Sequence, residues 1–155
     1  MRQALGRTAL GALLLFGLLQ LVPYGWSHPN PPVTHAAAWP DAGSEALAQA
    51  ACYDCHSNET EWPAYSYVAP MSWLVRRDVE EGRDALNLSE LDQGGGHELD
   101  DAAEAIAEGE MPPRQYLLLH PDARLSDAEE QQLMAAFEQL DGGGGDNRGP
   151  GNAED

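Results

Sequence analysis

Lysine is absent from this 155-residue chain, and cysteine occurs only twice. Arginine is the one strong cation left, and all 26 acidic residues lie from Asp41 onward, against six arginines there. So acidic a surface repels nucleic acid and anionic lipid headgroups, which excludes nucleic-acid binding as the function. It attracts basic partners, and salt weakens that attraction. Compositional adaptation of an exported protein to a saline habitat accounts for the same charge without any partner, and the sequence leaves both open. An alternating apolar and polar pattern is also missing, so helices are the regular structure to expect and the fold class is all-α. Two cysteines cannot furnish a four-thiolate zinc site.

The two cysteines that are present stand in Cys52-Tyr53-Asp54-Cys55-His56. Cys-x-x-Cys-His is the attachment signature of a c-type haem. Two thiols three positions apart on a helical turn reach the two vinyl groups along one haem edge and form thioethers there. His56 is then placed under the iron as proximal ligand. The rival uses are a thioredoxin-like dithiol, half a zinc site and a structural disulfide. A dithiol needs a βαβ context that this sequence lacks, and zinc would need distant histidines to complete its ligands.

The length allows one small domain with its termini. Arg2 and Arg7 precede an uncharged apolar run from Ala9 to Val22, which reads as an export signal or a signal anchor. Export agrees with the haem motif, because bacteria attach c-type haem outside the cytoplasmic membrane. A spanning helix needs about 17 to 25 residues. Thr8 to Trp26 reaches that length only if Pro23 and Gly25 are tolerated, and Tyr24 and Trp26 would suit the outer interface. The small-residue triplet Ala36-Ala37-Ala38 lies far downstream for a cleavage site, so an uncleaved transmembrane segment over residues 1–26 is expected, with its arginines inside. Residues 27–40 carry Pro29, Pro31, Pro32 and Pro40 and read as a semi-rigid tether in which His28 and His35 face solvent. Residues 41–141 form the foldable domain. The polar tail 142–155 opens on Gly142 to Gly145, has no apolar periodicity and is expected to be disordered.

Within the domain, Asp41 and Ser44 offer N-caps for a helix from Glu45 to Ala51 that runs straight into the haem motif. An aromatic loop, 57–70, leads to a second helix from Ser72 to Gly82 with Trp73, Leu74 and Val79 facing inward. A glycine-rich loop from Asn87 to Gly96 follows. The third helix, Glu98 to Glu108, sets Leu99, Ala102, Ala103 and Ile106 at helical spacing and stops at Gly109. A capping box of Ser126 with Glu129 starts the last, where Leu133, Met134, Phe137 and Leu140 form a core stripe that packs across the first domain helix.

Met111-Pro112-Pro113 places a methionine just past a helix end, in backbone that two prolines keep from becoming helical again. A thioether on so constrained a loop can be presented to the open face of a haem. His120, in Leu117-Leu118-Leu119-His120-Pro121, is the rival second ligand and would give bis-histidine ligation. Met71 and His97 are weaker candidates. Arg114 could reach a haem propionate through a charge-assisted hydrogen bond, or stand exposed.

Several of these segments recur together. Cys52 to Thr60, Trp62-Pro63, Val68-Ala69-Pro70, Ser72 to Val75, Glu81-Gly82-Arg83, Glu108 to Pro113, Tyr116, Leu119-His120-Pro121 and Leu125-Ser126 resemble, in this order, the bacterial haem-binding domain family of small membrane-anchored c-type cytochromes. The resemblance covers Cys52 to about Leu140. It implies a cytochrome-c-like fold of helices around one covalent haem, with Cys52, Cys55 and His56 holding the haem and Met111 as distal ligand. Between Leu88 and Glu98 the chain departs from the family pattern.

A six-coordinate His/Met haem in an apolar pocket changes oxidation state with little reorganisation. The expectation is therefore a mono-haem electron carrier in the bacterial cytoplasmic membrane, its haem domain in the periplasm, serving redox donor and acceptor proteins, basic ones among them. The alternative is a haem-based gas or redox sensor, or a binding module, with an open or weakly held distal site. An enzyme is not expected, because no distal His-Arg arrangement is visible.

Overall fold

A computed structural model describes residues 2–91 and 96–143. Among them the regular structure is seven α-helices, two short 3-10 turns (Ala64–Tyr67 and Pro121–Ala123) and no strand, as the missing alternation leads one to expect: α1 (Arg2–Leu19), α2 (Ala42–Ala51), α3 (Tyr53–His56), α4 (Met71–Ala85), α5 (Gly96–Ala107), α6 (Arg114–Leu117) and α7 (Asp127–Gly143). The core lies where α7 packs against α5 and, less extensively, against α2. Ala48, Leu86, Leu88, Leu99, Ile106, Leu133 and Phe137 fill it, with Met134 and Leu140 packed at its edge. Burying Leu133 and Phe137, each at most 1% exposed, contributes about 1.5–3 kcal/mol apiece.

Helix starts follow their capping residues. Asp41 Oδ1 accepts the N–H groups of Gly43 and Ser44 at 2.8 and 2.9 Å, so α2 begins three residues earlier than Glu45, and Ser44 lies inside the helix. At α7, Glu129 Oε2 accepts from both the backbone N–H and the hydroxyl of Ser126 at 2.7 Å. That is one half of the capping box, and the Glu129 N–H returns to Ser126 Oγ at 3.4 Å. Helix α4 runs past Gly82 to Ala85; its buried positions are Ser72, Val79 and Gly82, and Trp73 is half-buried with its indole Nε1 shut off from solvent. Leu74 is half exposed. Small residues line this face because other chain segments approach it closely: a Cβ on Gly82 would stand 2.5 Å from the Cys55 carbonyl oxygen.

The N-terminal expectations need two corrections. Helix α1 ends at Leu19 and does not continue to Trp26. Gln20 turns back onto the domain, its side chain donating to Ala69 O at 3.0 Å and accepting from Ala69 N at 2.9 Å. Gly25 takes a left-handed φ of +82° so close to Ser72 that no side chain would fit. Among the described residues no helix is long and apolar enough to cross a membrane.

Residues 27–40, expected as a tether, lie along the domain as a strap. Proline nitrogens cannot donate, but their carbonyls accept. Arg83 donates to Pro29 O at 3.0 Å and Asn58 to Pro32 O at 3.1 Å. Arg76 donates to Ser27 O at 3.2 Å, and Thr34, His35 and Ala37 give their N–H groups to Ser89 O and Leu88 O. His28 is therefore not a solvent residue. It stacks on Tyr67 at 4.1 Å, meets Trp62 edge-on and bonds Ser66. His35 is exposed, as expected. The expected loop up to Gly96 falls partly on residues 92–95, and the expected disordered tail largely on 144–155; both stretches lie outside the described residues, while α7 itself reaches Gly143.

Candidate functional site

The Cys-x-x-Cys-His motif sits at a break between two helices. Cys52 closes α2 by donating its N–H to Ala48 O at 2.8 Å, and its own carbonyl then accepts from the N–H groups of Cys55 and His56, starting the single turn of α3. Gly82 lets that turn lie directly on α4. His56 Nδ1 is 3.2 Å from Leu86 O. A carbonyl only accepts, so this bond puts the ring proton on Nδ1 and leaves the Nε2 lone pair free for a metal. Burial holds the imidazole below its ordinary pKa, against the opposing pull of the Leu86 hydrogen bond, and so favours the neutral form that can ligate.

Met111 reaches the same region by a different device. Helix α5 ends in a left-handed Gly109 at φ +70°. Gly109 N donates to Ile106 O and Glu110 N to Ala105 O, a Schellman motif, and Met111 N adds a second bond to Ala105 O at 3.1 Å. The methionine is thus folded back over the end of α5, and the residue is 38% exposed.

Cys52, His56 and Met111 line one cleft of about 280 Å³. Its walls are mostly apolar, with Ala102, Ala105 and Ile106 from α5 and Leu133 and Phe137 from α7, and Glu98 and Asp101 among the polar residues lining it. Cys55 does not line this cleft. It lies one turn round from Cys52, with its Cβ against Gly82. Burial, with the Cys55 charge adding to it, pushes the Cys52 thiol up to about 12. Burial also pushes Cys55 up to about 12, Asp78 and Asp54 adding to the effect. Neutral thiols are the reverse of what a reactive dithiol needs, and among the described residues no three His, Cys, Asp or Glu side chains gather as a metal-ion site.

The remaining candidates are dispersed. His120, the rival ligand, is in a second cleft of about 400 Å³ on the other side of α3, and so is not brought to His56. There its Nε2 is 2.7 Å from the Tyr65 hydroxyl, and its ring stacks on Tyr116 at 4.1 Å. Met71 opens α4 and lines neither cleft. His97 is exposed beside Asp101, and Arg114 is exposed at the start of α6. Sequence reasoning missed Asp54, whose Oδ2 accepts from the Tyr116 hydroxyl at 2.8 Å. Its place between the two cysteines was the available signal.

An imidazole with a free Nε2, a thioether and a thiol facing one apolar cleft, with a second thiol on the same turn, form a donor set that fits a haem. Fold and site together define a helical haem-binding domain. The chain belongs to the haem-binding domain family, whose sequence profile matches residues 14–139. It is similar to the cytochrome c peroxidase Ccp of Escherichia coli strain K12, with 29% identity over 142 residues that cover 83% of this chain and 30% of that protein. The chain therefore spans less than a third of that relative's length. No solved structure matches it.

Proposed function

We propose that the protein is a mono-haem c-type cytochrome that transfers single electrons. Cys52 and Cys55 hold the haem through thioethers, His56 is the proximal ligand and Met111 the distal one. The observation that carries this reading is the meeting of Cys52, His56 and Met111 on one apolar cleft. A bound haem supplies the one-electron couple, which the thioether ligand and burial shift to higher potential. The chain's own contribution is to hold both ligands still. Leu86 O fixes the imidazole, Ala105 O fixes the Met111 backbone, and Phe137 and Leu133 keep water from one wall.

The acidic surface favours basic redox partners, met at rates that fall with salt. We place the domain at the outer face of the bacterial cytoplasmic membrane, with α1, whose leucines from Leu10 to Leu18 are largely exposed, as the export and membrane-attachment segment. Carbonate extraction of membranes tests that attachment; release of the intact chain would end it. Met111→Ala tests the ligand. The variant should keep its covalent haem, lose the sulfur-ligand signature of the oxidised protein and fall in potential, whereas an unchanged spectrum removes Met111 from the site.

Similarity to a protein named cytochrome c peroxidase favours a second reading, peroxide reduction by the chain itself. Peroxide turnover by the haem-loaded full chain would establish it over simple electron carriage.

A further inference from the structure

Asp54 lies between the two attachment cysteines, and Tyr116 lies five residues beyond Met111. The Tyr116 hydroxyl donates to Asp54 Oδ2 at 2.8 Å, across 62 residues of sequence. Among the described residues this is the side-chain hydrogen bond that joins the 110–117 segment to the attachment turn. Both ends are braced. Asp54 Oδ1 accepts from the Glu61 N–H at 3.0 Å. Tyr116 N and Leu117 N both donate to Pro113 O, which makes 113–117 one stiff turn. The Tyr116 ring is held flat against His120, at 4.1 Å and 6° between planes, and His120 is in turn tied to Tyr65.

The Met111 loop is consequently hung at two points. At its start the Ala105 carbonyl holds the Met111 N–H. At its end the phenol of Tyr116 holds the turn that carries Cys52, Cys55 and His56. We propose that the Tyr116–Asp54 hydrogen bond is a latch that keeps Met111 over the attachment turn and sets how often the distal side of the haem opens to an outside ligand. The inference rests on the His/Met reading above and names the residue pair that controls it. Burial, the Asp54 charge and the hydrogen bond itself all hold the phenol in its protonated form, so the latch has its donor proton at any ordinary pH.

Removing a hydrogen bond to a charged acceptor raises the population of the opened loop by about tenfold to a hundredfold. Tyr116→Phe removes only the hydroxyl and keeps the ring on His120. In the haem-loaded full chain this variant should bind carbon monoxide in the reduced state faster by that factor, and its oxidised form should show a weakened sulfur-to-iron charge-transfer band. Asp54→Asn keeps only one of the two acceptor oxygens that the Glu61 N–H and the Tyr116 hydroxyl use, and removes the charge, so it should fall between the unsubstituted protein and Tyr116→Phe; Asp54→Leu should behave as Tyr116→Phe does. An intact band and an unaltered carbon monoxide rate in both Tyr116→Phe and Asp54→Leu overturn the latch and leave the His/Met reading standing. An unsubstituted chain with no sulfur band at all overturns both.

Discussion

The two clefts that share the α3 turn differ in almost every respect. On one side Cys52 and His56 face alanines, Ile106, Leu133 and Phe137. On the other, one and two residues along, Tyr53 and Asp54 face Glu59, Glu61, Tyr116 and His120. A helical turn sends neighbouring residues in different directions, so Cys52 and His56 line an apolar cleft while Tyr53 and Asp54, between them, belong to a polar hydrogen-bonded cluster. The lesson is that the residues between the cysteines are not spacers. Tyr53 also accepts the Trp39 indole N–H at 3.0 Å, and Asp54 anchors Tyr116.

That comparison can be broken from either side. The largest effect is expected from Phe137→Ala, which removes a fully buried wall of the apolar cleft. Truncation of a buried Phe costs about 3–5 kcal/mol. Thermal or denaturant unfolding should show a loss of that size, while the Tyr116–His120 stack stays as it is in amide and side-chain NMR. Next comes Gly82→Ala, aimed at the packing of α4 against the α3 turn that the clefts share. Its Cβ would meet the Cys55 carbonyl at 2.5 Å, and separating the helices costs about 1–3 kcal/mol even though alanine is the better helix former. Both clefts should be disturbed together; a variant as stable as the parent would show that α3 does not lie on α4 as described.

The smallest effect tests a residue of neither cleft. The Ser44 and Gly43 N–H groups and the Ser44 hydroxyl hold the Asp41 carboxyl below its ordinary value of 3.8. A depressed folded-state pKa means stabilisation that is present above about pH 3.8 and lost as pH falls through the folded value. Asp41→Asn keeps a cap acceptor without the titration, so its acid-unfolding curve should fall less steeply below pH 3.8. An identical acid limb would exclude Asp41 as a contributor.

Much of the apolar cleft is legible in the sequence alone. Cys52, Cys55 and His56 announce themselves by spacing, and Gly109 followed by Met111-Pro112-Pro113 announces a helix stop and a constrained methionine. The core stripe of α7 and its capping box were equally plain, because these signals lie within a few residues of one another. The polar cluster was not readable. Tyr65, His120 and Asp54 come from three distant segments, and nothing local in any of them calls for the others. Gly82 looked like a helix end and is instead the point where α3 touches α4. The strap follows the same rule: a proline-rich composition describes a stiff extended chain, and only Arg76, Arg83, Asn58 and Ser89, far along the sequence, decide that it lies flat.

By itself the sequence determined the all-helical class, the Cys-x-x-Cys-His turn and the methionine loop, since capping, glycine stops and local spacing act over one or two helical turns. Tertiary structure alone decided that Met111 and not His120 meets His56 in one cleft, that α1 stops at Leu19, and that residues 27–40 are bound rather than free. Those outcomes depend on hydrogen bonds and close approaches between residues tens of positions apart, where a linear pattern carries no information about which partner is near.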